Sequence, residues 1–143
     1  MNAIPRKNLF IALANLNAVI LSANKIEIKA NQTNRKHMEW LKIFGSEEEA
    51  RTRLKENIPQ LVIARNKRIC LALHEGEFYA VQDSCTHSGE SLSKGKVNYL
   101  GEIICPWHNY RFQLSTGTAC DSSCRDLVTF PIRSDQSGFF IGL

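Results

Sequence analysis

Two short segments that each hold one cysteine and one histidine constrain this sequence more than any other feature. They are Cys85-Thr86-His87 and Cys105-Pro106-Trp107-His108, and the 17 residues from Ser88 to Ile104 separate them. Each segment offers one thiolate and one imidazole within a single tight loop. Both follow or end a predicted strand, so two such loops can bring four ligands together. The sequence therefore predicts a Cys2His2 metal centre.

This ligand set fits two kinds of centre. A tetrahedral zinc ion accepts two thiolates and two imidazoles, but zinc modules usually pair two cysteines in one loop and two histidines in the other. A 2Fe-2S cluster has two distinct iron positions, and two mixed loops can deliver both cysteines to one iron and both histidines to the other. Neutral imidazoles in place of thiolates raise the reduction potential of such a cluster. The mixed pairing favours the cluster and leaves zinc as an alternative.

The residues around the two segments resemble one known family. The matching stretches, besides the ligand segments, are Glu39-Trp-Leu41, Phe78-Tyr-Ala-Val-Gln-Asp83, Tyr110-Arg-Phe-Gln-Leu-Ser-Thr-Gly117 and Thr129-Phe-Pro-Ile132. Residues 38–143 are therefore similar to a Rieske-type 2Fe-2S ferredoxin. The resemblance implies that Cys85 and Cys105 bind the inner iron, and that His87 and His108 bind the outer iron near solvent. It also implies three small antiparallel sheets with the cluster at the tip of one.

Residue patterning independently predicts an all-β domain with one short helix near its start. Ser46 followed by Glu49 forms a capping box that predicts a helix over about Glu47–Glu56, which Pro59 then ends. Asn66-Lys67 predicts the turn of the first hairpin. The predicted strands are Glu39–Phe44, Gln60–Arg65, Arg68–His74, Phe78–Gln82, Glu102–Cys105, Tyr110–Leu114, Leu127–Arg133 and Phe139–Ile141.

The charge distribution gives no reason to expect a nucleic-acid partner. The chain of 143 residues carries a net charge of +4, but residues 1–37 hold six basic groups against one acidic group. Residues 38–143 hold 12 basic and 13 acidic groups, so they lack the basic surface that binding a polyanion requires. A chain of this length can bury a core without help from a metal, so a metal centre here is expected to be functional.

Residues 1–37 are predicted to be an N-terminal extension, either poorly ordered or the product of an upstream start codon, with Met38 as the natural start of a single domain over 38–143. The apolar run Leu9–Ala23 is interrupted by Asn15 and Asn17 and is shorter than the roughly 20 residues of a membrane-spanning helix. It also makes a poor export signal. Together with the unpaired cysteines, the poor export signal predicts a location in the cytoplasm. We also expect a monomer with no membrane span.

Within the resemblance, two positions predict a low reduction potential. High-potential Rieske proteins carry one extra cysteine in each loop, paired as a disulfide, and the matching residues here are Glu90 and Trp107. They also have a serine, two residues after the second histidine, that donates to a bridging sulfide, and Tyr110 stands at that position. We therefore expect a potential near the low end of the Rieske range of about −150 to +300 mV.

The other cysteines and histidines do not suggest a second centre. Cys70 is predicted to lie in the core, and Cys120 and Cys124 to be free thiols in a polar loop. His37 and His74 are predicted to face solvent. They do not provide the two-histidine, one-carboxylate iron site of an oxygenase catalytic subunit. The sequence also lacks a Gly-rich nucleotide fingerprint, so direct use of NADH is not expected.

The sequence thus predicts an electron carrier that is not an enzyme on its own. It would accept one electron from a reductase and pass it to an oxygenase or a similar acceptor, with Trp107 at the docking surface. Within the same fold, the small Rieske-like subunit of an assimilatory nitrite reductase is the second candidate. A zinc-stabilised interaction domain is the candidate from a different class.

Overall fold

The computed structural model describes residues 38–121 and 123–143. The predicted extension over 1–37 and its His37 lie outside these residues, so the boundary between extension and domain stays a prediction. Within the described part of the chain, no helix has the length and apolar character needed to cross a membrane.

The described residues form three antiparallel sheets and one short α-helix, which confirms the predicted fold class. The first sheet has the strand order β1 (Trp40–Phe44), β10 (Gly138–Gly142), β9 (Ile132–Asp135). The second sheet has the order β2 (Gln60–Ala64), β3 (Lys67–His74), β4 (Glu77–Gln82), β8 (Thr129–Phe130). The third sheet has the order β5 (Lys96–Val97), β6 (Glu102–Ile104), β7 (Arg111–Gln113). A short 3-10 turn over Leu92–Lys94 and strand β5 are elements that the sequence patterning did not predict.

Helix α1 spans Glu47–Arg53 and begins at the predicted cap. The Ser46 hydroxyl accepts the Glu49 N–H at 3.0 Å, and the Glu49 carboxylate accepts the Gly45 N–H at 2.8 Å. The helix ends before the predicted Glu56, because the residues after Leu54 pair with other backbone instead. Glu56 forms an isolated parallel bridge to Leu73 of β3. Pairing with the second sheet, rather than Pro59, therefore sets the end of the helix.

Two other sequence predictions differ from the structure. The first hairpin turns at Arg65-Asn66 rather than at Asn66-Lys67, since Ala64 pairs with Lys67 and Arg65 adopts a positive φ of 51°. The single strand predicted over Leu127–Arg133 is divided at Pro131 into β8, which pairs with β4, and β9, which pairs with β10. Proline lacks the N–H that a continuous ladder needs, so the chain changes sheets there.

The core consists of two hydrophobic clusters, and the two faces of β3 each pack in one of them. Cys70 and Ala72 pack in the cluster that also contains both candidate ligand cysteines, together with Val81, Leu92, Val97, Ile103, Phe112, Leu114 and Leu127. Ile69, Leu71 and Leu73 pack in the other cluster, together with Ala50, Leu54, Ala64, Ala80, Phe139 and Ile141. Because side chains alternate along a strand, the second sheet carries apolar residues on both faces. The two candidate ligand cysteines, Cys85 and Cys105, thus lie in packed core.

Candidate metal centre

The candidate ligands lie in two loops that are closed by the same backbone hydrogen bonds. In the first loop, which follows β4, the Cys85 N–H donates to the Glu90 carbonyl at 2.8 Å, and the Gly89 N–H donates to the Cys85 carbonyl at 2.8 Å. Gly89 has a positive φ of 74°. Glycine adopts this left-handed conformation at little cost, so it suits a loop that must reverse within five residues.

The second loop connects β6 to β7 and repeats this pattern. The Cys105 N–H donates to the Tyr110 carbonyl at 2.8 Å, and the Asn109 N–H donates to the Cys105 carbonyl at 3.1 Å. Asn109, four residues after its cysteine as Gly89 is, has a positive φ of 58°. Asparagine tolerates this region better than most residues with a side chain. The two loops are therefore equivalent backbone units, although their histidines stand two and three residues after the cysteine.

The structure brings all four sequence-predicted site residues together and separates them by depth. Cys85 and Cys105 are buried at 2% and 0% exposure, whereas His87 and His108 are exposed. The two imidazole rings lie 5.2 Å apart between centroids and are nearly perpendicular, at 89°. Ser88 Oγ of the first loop lies 4.0 Å from Cys105 Sγ of the second.

This donor set suits a centre with two different metal positions. Thiols sit inside, in the apolar cluster, and imidazoles sit outside at the surface, as a 2Fe-2S cluster with unlike irons requires. The residues present therefore fit the cluster.

Aromatic rings flank both histidines. Tyr110 stacks on His87 with 4.0 Å between ring centroids and 25° between ring planes. Trp107 lies 5.6 Å from the His108 ring and is 63% exposed. The predicted exposure of Trp107 beside the second histidine is thus confirmed.

An open depression of about 550 Å³ borders the two histidines, and Asp121 and Ser123 form its far side. The Thr86 hydroxyl of the first loop donates to the Arg125 carbonyl at 2.5 Å. This hydrogen bond connects the first loop to the chain segment that follows Ser123. Sequence reasoning missed Asp121 and Ser123 as neighbours of the site. No local pattern marks them, because at least twelve residues separate them from either candidate ligand segment.

A buried carboxylate that sequence reasoning also missed supports the first loop. Asp83, two residues before Cys85, is fully buried and accepts hydrogen bonds from Arg68 at 2.9 Å, the Ser91 hydroxyl at 2.5 Å and the Ser93 N–H at 2.8 Å. Burial alone would raise the pKa of Asp83, but the hydrogen bonds from Ser91, Ser93 and Arg68 bring it below its ordinary value. Asp83 therefore joins the two ends of the loop as an ionised group.

Two of the three remaining cysteines are held as neutral thiols. Burial raises the pKa of Cys70, which is fully buried, so its predicted core position is confirmed. Cys120 donates to the Glu102 carboxylate at 3.2 Å, and burial together with this carboxylate raises the pKa of the thiol to about 11. The described residues include all five cysteines, and none forms a disulfide. Cys124 is partly buried against the cluster that contains Cys85.

The prediction that His74 faces solvent is wrong. Its side chain lies at the end of β3 with only 8% of the residue exposed, and His74 Nδ1 lies 2.7 Å from Asn57 Oδ1. Gly101 packs directly on the ring, since a Cβ there would come within 3.1 Å of His74 Cδ2. The burial comes from the third sheet, whose packing on β3 the sequence pattern does not reveal.

Comparison with protein-family models matches residues 24–131 to the Rieske [2Fe-2S] domain. The chain belongs to the Rieske [2Fe-2S] domain family. The cofactor of this family is a Rieske 2Fe-2S cluster, so the predicted cofactor is confirmed and the zinc alternative is set aside.

Relatives with curated descriptions and solved structures are similar to parts of this Rieske chain. The 3-phenylpropionate/cinnamic acid dioxygenase ferredoxin subunit of Shigella boydii serotype 4 (strain Sb227) is 39% identical over 69 residues, which are 48% of this chain and 65% of that relative. A chain in the complex of reduced oxygenase and oxidized ferredoxin in carbazole 1,9a-dioxygenase superposes with a TM-score of 0.60 at 25% identity, over 71% of this chain and 91% of that one.

The fold is also similar to that of a chain described as an NADH-dependent nitrite reductase small subunit from Mycobacterium tuberculosis. That superposition has a TM-score of 0.63 at 18% identity and covers 74% of this chain and 96% of the other. At this identity the similarity concerns the fold alone.

Proposed function

We propose that this chain is a one-electron carrier that delivers electrons from a reductase to the oxygenase component of a dioxygenase. The observation that carries the proposal is the division of the four ligands into buried thiols and exposed imidazoles within two equivalent loops. The 39% identity to a dioxygenase ferredoxin subunit supports the choice of acceptor. We assign Cys85 and Cys105 to the inner iron, and His87 and His108 to the outer iron.

A 2Fe-2S cluster supplies one-electron chemistry by alternating between an oxidised and a reduced state. The chain's own residues decide where that electron can leave. Cys85 and Cys105 lie in apolar core, so they exclude water from the inner side of the site. His87 and His108 are exposed to solvent, so an acceptor can approach them without any rearrangement of the fold.

The acceptor would dock over the tips of the two loops. Trp107 projects beside His108 with 63% of its surface exposed, and the depression between the histidines and Asp121 lies next to it. A transient electron-transfer contact needs only a small interface, in the range below about 1,200 Å². One exposed aromatic residue at its centre is the type of side chain that supplies much of the affinity of such a contact.

We also propose that the protein works in the cytoplasm as a monomer. Five cysteines that form no disulfide are suited to a reducing compartment. Its reduction potential is expected at the low end of the Rieske range, because Glu90 and Trp107 stand where a disulfide would brace a high-potential site.

The second candidate is the small subunit of an assimilatory nitrite reductase. The superposition on the Mycobacterium tuberculosis chain, at a TM-score of 0.63, supports it at the level of the fold. A carrier for an oxygenase has to bind and release its partners, whereas a reductase subunit stays with its enzyme. Co-purification from the native host separates the two: stable recovery with a large nitrite-reducing subunit would favour the second candidate.

The proposed ligand set is tested by anaerobic purification, iron and sulfide analysis, and EPR spectra before and after dithionite. We expect two irons and two sulfides per chain and a rhombic signal only after reduction. Cys105→Ser is expected to abolish the signal, and the matched variant Cys124→Ser to retain it. A colourless protein with stoichiometric zinc would contradict the assignment. The acceptor is tested by mixing the reduced protein with a purified aromatic-ring oxygenase component and following its reoxidation.

A further inference from the structure

The two ligand loops are equivalent in backbone but differ in the residue that closes each of them. The carbonyl that accepts the cysteine N–H belongs to Glu90 in the first loop and to Tyr110 in the second. These two residues occupy the same place, five positions after Cys85 and Cys105. Because Glu90 and Tyr110 are equivalent in backbone, their side chains determine what each loop contacts outside itself.

The Glu90 side chain stays within its own segment. Its carboxylate accepts the Ser91 N–H at 2.8 Å and the Lys94 ammonium at 3.0 Å. Both partners lie within four residues along the chain. Glu90 thus stabilises the entry into the 3-10 turn that follows the first loop and makes no connection to the second loop.

The Tyr110 side chain crosses to the other loop. Its ring lies flat on the imidazole of His87, with the centroids 4.0 Å apart and the planes 25° from parallel. Tyr110 is half-buried and also packs against the cluster that contains both ligand cysteines. One residue therefore closes the second loop through its carbonyl and holds a ligand of the first loop through its ring.

We propose that Tyr110 is a noncovalent brace between the two loops that fixes the plane of the His87 imidazole and slows loss of the cluster. This inference rests on the proposed ligand set. The His87 imidazole can move only by rotation about its side-chain bonds, and the stacked Tyr110 ring limits that rotation. A histidine whose ring plane is already fixed loses less conformational entropy when it binds a metal. Tyr110 acts through His87 and is thus a positioning residue.

The brace is tested by comparing Tyr110→Phe with Tyr110→Leu in the full-length protein loaded with its cluster. Phenylalanine keeps the flat ring and removes only the hydroxyl, whereas leucine keeps an apolar side chain and removes the ring. Tyr99→Leu is the matched control, because Tyr99 is 83% exposed in the turn between β5 and β6. Cluster loss is followed by the decay of visible absorbance in excess chelator.

We expect Tyr110→Leu to lose the cluster about tenfold faster than wild type, as an aromatic contact of this kind predicts, and Tyr110→Phe and Tyr99→Leu to match wild type. Pulsed EPR of the reduced protein should show altered nitrogen couplings from one imidazole in Tyr110→Leu alone. Equal rates of loss in Tyr110→Leu and wild type would overturn the brace. So would a Tyr110→Phe variant as labile as Tyr110→Leu, since the ring would then not be the cause. A wild-type protein without iron would instead refute the ligand set.

Discussion

The buried carboxylate of Asp83 leads to the most sharply defined stability prediction. Its side chain is only 1% exposed, and it binds Arg68, the Ser91 hydroxyl and the Ser93 N–H across the base of the first ligand loop. Hydrogen bonds to a charged group contribute roughly 1.5–3 kcal/mol each, and the cost of burying the carboxylate offsets much of their sum. We therefore expect Asp83→Ala to lower the free energy of unfolding by about 3 kcal/mol, and Asp83→Asn by about half of that.

The effect depends on pH with a defined sign. The pKa of Asp83 is lower in the folded protein than in the unfolded chain, where it is about 3.9. Its ionised form therefore stabilises the fold fully above that value, and this stabilisation is lost as the pH falls through the lower, folded pKa. The destabilisation in Asp83→Asn should thus be complete at neutral pH and should shrink below about pH 4.

Urea unfolding of the full chain, followed by circular dichroism at several pH values, measures both quantities. Asp135→Asn is the control, because Asp135 ends β9 at an exposed position and its carboxylate bonds to Ser137 and Arg133 at the surface, so its replacement should cost far less than that of Asp83. A loss below about 1 kcal/mol in Asp83→Ala would refute the argument that the network stabilises the fold. So would a loss in Asp83→Asn that stays the same from neutral to acidic pH.

Three further predictions follow from single contacts. Trp107→Ala should slow electron transfer to the proposed oxygenase acceptor at least tenfold in stopped-flow mixing, and it should not speed the loss of the cluster to chelator. A variant that loses electron transfer and the cluster together would show that Trp107 has a structural role. Gly117→Ala should lower the free energy of unfolding in urea by more than about 2 kcal/mol, because the added Cβ would lie 2.3 Å from the Leu127 carbonyl oxygen. Gly76 has a similar positive φ but open space around it, so Gly76→Ala should lower this free energy by only about 1 kcal/mol. Cys120 should react with iodoacetamide more slowly than Cys124 at pH 8, as mass spectrometry of modified peptides can check.

Much of the site could be predicted because its chemistry is local in the sequence. Each candidate pair of one cysteine and one histidine lies within four residues, so the donor types and their spacing are visible without knowledge of the fold. The helix cap at Ser46 and Glu49 is local as well and was predicted correctly. The end of helix α1 was not, because Glu56 leaves the helix to pair with Leu73 of a strand that is distant in sequence.

The contacts that complete the site could not be predicted for the same reason. Asp83 meets Arg68 fifteen residues away, and Tyr110 meets His87 across two separate loops. Residue patterns record which side chains are apolar and which backbone positions need glycine. They do not record which of several polar side chains will be neighbours once three sheets have packed.

The sequence by itself determined which donors this protein can offer to a metal centre, because two mixed pairs of thiolate and imidazole are visible wherever the loops are placed. It also determined that the domain is built of short strands. Only the tertiary structure decided that His74 is enclosed and that Tyr110 reaches His87. It also places the thiols in the core and the imidazoles at the surface, a difference in depth that only the family resemblance had implied. Depth and cross-loop contact arise when the sheets pack together, since burial is a property of all the surrounding residues and not of any one segment.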